Sequence, residues 1–150
     1  MRFERYTVTV PVGWEARRAE EEPGHSTLVL VPPNRTLLCR LEVIRSDREL
    51  AASEVDAFLE MARQDFRGSR ETPVRMRTPV AHLRGFAVRE AVEAKSRIVG
   101  ALSGESEIEV YAGIAGRELV AAIAGGWSRD PAGRHLRDEC LRALKSLRIP

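Results

Sequence analysis

Three histidines, His25, His82 and His135, are the residues of this 150-residue chain best suited to ligate a metal or move a proton. A metal site draws its first ligands from adjacent helical turns or neighbouring strand positions. None of the three has a His or Cys at such spacing. Each is read as structural or surface, and His82 falls near a strand end, where a backbone carbonyl would satisfy it. Carboxylates come closer to chemistry. Glu107 and Glu109 share one strand face, and Glu90 and Glu93 lie on the strand before it. Strands with a solvated face carry such acids routinely, paired here with Arg89, Arg97 or Arg117 across the ladder. Glu90 breaks the pattern, because alternation puts it in line with Phe86, Val88 and Val92. An inward carboxylate there would be a catalytic candidate with a perturbed pKa. A bulge turning it outward, or Arg40 or Arg89 neutralising it, is the plainer reading.

Cys39 alternates with Leu41 and Val43, and Cys140 sits in a stripe with Leu136 and Leu144. Neither has a nearby His or a helix N-terminus to lower its pKa, so both read as small core hydrophobes. A disulfide between them is compatible with their spacing, but two buried thiols in a reduced compartment is the default expectation. Gly100-Ala101-Leu102-Ser103-Gly104 has the wrong spacing for a nucleophile elbow and reads as a turn. No Gly-x-Gly-x-x-Gly or Walker-type loop occurs, so nothing cradles a phosphate. The expectation is a non-enzyme with no cofactor and no metal.

Charge points the same way. The net charge is +2, and acids interleave with bases along most of the chain. The nearest approach to a basic stripe is Arg63, Arg67, Arg70, Arg75 and Arg77, interrupted by Asp65 and Glu71, so nucleic acid is not an expected partner. Aromatics at 5% leave little for a base-stacking platform. No apolar run is long enough to span a bilayer and no signal peptide is visible, so a cytoplasmic protein with no membrane insertion is expected.

The elements that would position these residues are legible in outline. Tyr6 to Val10 alternates as a strand and is stopped by Pro11, Gly13 and Trp14. A charged, glycine-containing loop leads to an apolar strand from Leu28 to Val31. After the turn at Pro32-Pro33-Asn34-Arg35, Leu37, Cys39, Leu41 and Val43 oppose Leu38, Arg40, Glu42 and Ile44. Ser53 is the expected N-cap of a helix carrying Val55, Phe58, Leu59, Ala62 and Phe66, with Gly68 its stop. Further strands run from Val74 to Leu83 and, past a turn at Arg84-Gly85, from Phe86 to Lys95. A loop near Ser103-Gly104 leads to Glu107–Ile114, and Gly116-Arg117 joins it to Leu119–Ala124. Gly125-Gly126-Trp127 should break the sheet. Asp130-Pro131 opens a last helix with Leu136, Cys140, Leu144 and Leu147 on one stripe. Closely joined strands argue for a meander rather than parallel βαβ units. The expected fold is one α+β domain over residues 1–150, a twisted antiparallel sheet of about six to seven strands flanked by two main helices. Trp14 and Trp127 would cap the edge of its core.

Three segments carry a family resemblance over nearly the whole chain. Tyr6-Thr7-Val8-Thr9-Val10-Pro11-Val12-Gly13-Trp14 resembles the opening strand, Pro and Trp of the PsbP-like α/β/α sandwich. Leu83-Arg84-Gly85-Phe86-Ala87 resembles its glycine turn, and Leu141-Arg142-Ala143-Leu144-Lys145-Ser146-Leu147 its closing helix. Within that fold the chain looks like the DcrB-like group, which includes the Eag chaperones of bacterial type VI secretion. It departs from the Eag pattern after Trp14, where the charged run Glu15 to Glu22 stands. The resemblance implies a non-enzymatic binding role, no catalytic residues, and pairing of copies as a homodimer.

Strands apolar on both sides extend that reading. A chaperone or adaptor would bind another protein, such as a secretion effector or component, on a sheet face not covered by helices. Leu38, Ile44, Tyr111 and Val120 are the expected contact residues. The opposing expectation is that helices cover both faces and these residues are core. The alternative function is a small-molecule binding domain with a pocket between the sheet and the helix carrying Phe58 and Phe66.

Overall fold

The computed structural model describes residues 1–33, 38–66, 70–89, 94–96, 100–102, 107–127 and 131–150. Seven strands form the main sheet: β1 (Glu15–Glu22), β2 (His25–Val31), β3 (Leu38–Arg45), β4 (Glu71–Arg77), β5 (His82–Val88), β6 (Glu107–Ala115) and β7 (Glu118–Trp127). Their order is β1-β2-β3-β7-β6-β5-β4, and every neighbouring pair is antiparallel. The sheet is therefore two meanders, β1 to β3 and β4 to β7, joined where β3 pairs with β7. Two short two-stranded pairings, Arg2–Phe3 with Tyr6–Thr7 and Ala94–Ser96 with Gly100–Leu102, stand outside it.

Helix α1 (Ala52–Gln64) connects the two meanders and α2 (Pro131–Lys145) ends the fold. Apolar residues at helical spacing put Val55, Phe58, Leu59 and Ala62 on one buried stripe of α1. The stripe packs on Phe86, Val88, Ile108, Val110, Leu119 and Ile123, one face of the sheet. Phe58 and Phe66 belong to this packed layer, and the Phe66 ring meets Phe86 edge-on at 6.3 Å between centroids. Burying each such side chain contributes roughly 1.5–3 kcal/mol. α2 and the N-terminal residues Phe3, Tyr6 and Val8 cover the opposite face, against Leu28, Leu41, Val43, Leu83, Val120 and Ala122. The expected antiparallel sheet flanked by two helices is the observed architecture.

Several local expectations are corrected. The charged segment read as a loop is β1, at one edge of the sheet, where charge is tolerated because the strand end faces solvent. Of Tyr6 to Val10 only Tyr6–Thr7 is strand; it stays outside the sheet and bridges Thr7 to Arg148. The turn expected at Arg84-Gly85 lies earlier, at Thr78 to Ala81, where the Thr78 hydroxyl oxygen accepts the N–H groups of Val80 and Ala81. Gly85 is instead inside β5, where a Cβ would collide with the Val110 carbonyl oxygen. β7 runs through Gly125 and Gly126 to Trp127 rather than ending at Ala124. The N-cap of α1 is Ala51, not Ser53; Glu54 reaches back to accept the Ala51 N–H at 2.7 Å. Gly116, at φ +65°, makes the tight β6–β7 connection as expected.

Cys39 and Cys140 are bonded to each other, with Cα atoms 6.0 Å apart, joining β3 to α2. The free-thiol expectation fails because β3 lies beneath the α2 stripe, which brings both side chains to one point of the core. The expectations for Glu90, Glu93, Arg97, Gly68, the Ser103-Gly104 loop and the Asp130 cap fall outside the described residues. So does the side chain of Trp127.

Candidate functional site

Strand alternation sends Glu109 and Tyr111 of β6 to the face that α2 covers. There Arg137, on the inner side of α2, donates to Glu109 through Nη2 at 2.8 Å and Nε at 3.2 Å. The Tyr111 hydroxyl donates to the same carboxylate at 3.1 Å. Glu109 is 2% exposed, so both of its oxygens are matched by donors inside the fold. Burial, then the charge and hydrogen bond of Glu109, pushes the Tyr111 hydroxyl well above the ordinary phenol range. The tyrosine is a fixed proton donor and the acid is neutralised by guanidinium.

Two further buried glutamates also face cations, but Oε2 of each has no hydrogen-bond donor among the described residues. Glu118 accepts from the Tyr6 hydroxyl at 2.8 Å and forms an ion pair with Arg5, with Arg45 at 3.7 Å. Burial and the bond to Glu118 push Tyr6 up to about 12. Glu42 faces His25 at 3.0 Å and Arg40 at 3.1 Å. Each acid is tied to cations, and no group among them is poised as a nucleophile with an adjacent base. Among the described residues no three His, Cys, Asp or Glu side chains gather as a metal site would require.

The Glu109 network forms the inner wall of a 500 Å³ groove between β4 and α2. Val74, Tyr111 and Leu141 give it apolar surface, Asp138 gives it one exposed acid, 3.6 Å from Arg137, and Arg75, Arg142 and Lys145 give it cations. Those three are exposed and have no carboxylate partner among the described residues. A second pocket of 350 Å³ shares Arg75 and adds Arg77, His82 and Arg84. Alternation at the strand end and an exposed helix face place these arginines and Lys145 together, although they are scattered in sequence. An apolar cleft of 390 Å³ lies on the other side of Arg142, between Thr9–Val12 and α2, and the fully exposed Val12 stands at it.

The four expected contact residues do not form one surface. Leu38 and Ile44 are half-buried on the α1 face, while Tyr111 and Val120 are buried on the α2 face. A helix packs on each face of the sheet, so the expected free face is not present as a whole. Trp14 is buried, and its indole N–H donates to Glu139 of α2 at 3.3 Å, fixing the end of the core. The Arg89–Glu107 pair expected across the ladder is present at 3.1 Å. Sequence reading placed Glu109 on a solvated face; the one usable signal was Tyr111 two residues on, a large ring that favours cover.

Among the described residues no helix is long and apolar enough to cross a membrane. No protein-family model matches this chain, and no curated protein matches it.

Proposed function

We propose that this chain is a non-catalytic protein-binding module of the chaperone or adaptor kind, whose client sits in the groove between β4 and α2. The observation that carries the reading is that groove. It offers apolar floor, cations with no carboxylate partner among the described residues, and an edge strand with no further strand beside it among them, while the buried Glu109 is already paired with Arg137. Mixed apolar and polar lining is the make-up of a recognition surface. A bacterial secretion client and pairing of copies belong to the same proposal. A small-molecule pocket under α1 is less favoured, because Phe58 and Phe66 fill that layer.

The compartment enters here as well. A cytoplasmic setting fits poorly with a Cys39–Cys140 bond, which persists most readily where thiols are oxidised. Alkylating free thiols in host cells before lysis separates the two cases.

Affinity capture from host lysate, using the chain and its Arg142→Trp and Lys145→Trp variants, tests the function. Both positions are exposed, so bulky rings block the groove without touching the core. A partner retained by the unchanged chain and lost by both variants supports the proposal. Equal retention, or an empty bait, overturns it.

A further inference from the structure

We infer that the outer edge of β4 takes an acidic, extended segment of the partner protein. This rests on the protein-binding reading above and names the chemistry of the partner.

The argument starts from register. Arg75 of β4 lies directly opposite Arg84 of β5, and Arg77 directly opposite His82. Like charges in directly opposed positions weaken a ladder, and Arg75 opposite Arg84 is such a rung, with the guanidinium of Arg77 two residues along the same strand. One relief is internal: Asp56 of α1 meets Arg84 at 2.6 Å. Arg75 and Arg77 have no carboxylate partner among the described residues. Arg142 and Lys145 approach the same strand from α2, also without one. The acid of β4, Glu71, is taken by Arg63 at 2.9 Å.

The two arginines of the opposite edge strand offer a comparison. On β1, Glu15 meets Arg17 at 3.1 Å, and Arg18 meets Glu4 at 3.3 Å. Both arginines of that strand meet an acid, whereas Arg75 and Arg77 of β4 meet none among the described residues. A ligand that supplies carboxylates at strand spacing would complete the β4 edge.

The ligand is polypeptide for a second reason. β4 ends the sheet, so one side of its backbone has no strand beside it among the described residues. An extended chain can add there as a further strand, with main-chain bonds for affinity and alternate side chains for choice. Pockets of 350 and 500 Å³ near the strand leave room for those side chains. A nucleic acid gains nothing from main-chain pairing, and Tyr111, the groove's aromatic, is buried rather than offered for stacking.

The test uses fluorescence anisotropy with the whole chain and three labelled peptides of roughly ten residues, a typical strand length with margin. They share alternate Val positions and carry Glu, Gln or Lys between them. An oligothymidine of similar length is the anionic control. The Glu peptide should bind about tenfold or more tighter than the Gln peptide, and weaken steeply with salt. An Arg75→Glu/Arg77→Glu variant, checked for an unchanged melting temperature, should lose that advantage. N-methylation of alternate amides in the Glu peptide should abolish binding. Equal binding of Glu and Gln peptides would overturn the acidic preference and leave the protein-binding reading intact. Oligothymidine binding as tightly as the Glu peptide, or full retention by the N-methylated peptide, would overturn the strand-edge inference. If no peptide binds, the inference is lost, and the capture experiment still decides the wider reading by itself.

Discussion

Arg137 grips Glu109 through two bonds, at 2.8 and 3.2 Å, beneath a helix that leaves the acid 2% exposed. The contact ties α2 to the middle of the sheet and sets the wall of the groove. Arg137→Met would leave a buried carboxylate without its counter-charge and should cost about 3 kcal/mol. Adding Glu109→Gln to that variant should restore more than half of the loss. Urea unfolding of the two single variants and the double variant measures it.

Both tyrosines of the chain donate to buried glutamates. Tyr6 is pushed from 10.0 to about 12, and Tyr111 moves the same way. A phenol whose folded value is raised contributes stability that is fully present below the unfolded value. That stability is lost as pH rises through the folded value. The native chain should therefore show little tyrosinate absorbance at pH 10, where the unfolded chain shows half, and should lose stability towards pH 12. Tyr6→Phe should flatten part of that decline. Ultraviolet titration with and without denaturant reads both effects.

The Cys39–Cys140 bond closes a loop with a sequence separation of 101. Closing so long a loop restricts the unfolded chain strongly, and Cys140→Ser should lower stability by roughly 2–5 kcal/mol. Non-reducing peptide mapping should recover the two cysteine peptides as one mass. Thermal melts with and without reductant should differ for the unchanged chain and coincide for the variant.

Gly85 allows the backbones of β5 and β6 to approach where a Cβ would strike the Val110 carbonyl oxygen. Gly85→Ala should destabilise by about 3 kcal/mol, at the upper end of overpacking costs, or prevent folding. Chemical denaturation, or the soluble yield if the variant cannot be purified, checks this.

The glycine also shows what the sequence could and could not convey. Alternation and helical stripes revealed the two helices and the β6–β7 hairpin, because their apolar periods are uninterrupted and Gly116 marks the turn. A glycine between two strand-like runs, by contrast, reads as a turn unless the neighbouring backbone is known. β1 was hidden because an edge strand has little to bury, and Glu15 to Glu22 offers almost no apolar period. The buried glutamates were hidden for a different reason: hydropathy says that a helix must be covered, but not which sheet face it covers. Once α2 lies over β6 and β7, Glu109, Tyr111 and Val120 are interior. The groove cations were visible one at a time, and only the β4–β5 register brings Arg75 to Arg84 and Arg77 to His82.

The junction of β3 with β7 bears on how the chain is made. The first meander leaves the ribosome with β3 unpaired on one side, and the strand that must lie beside it is the last to be synthesised. Leu41, Val43 and Ile44 wait through the synthesis of α1 and three strands before that edge is closed. An open apolar edge is a template for whatever strand arrives first. On a crowded polysome, a neighbouring nascent copy competes for β3 with the chain's own C-terminal half, so slower translation of β4 to β7 should favour exchange of strands between copies.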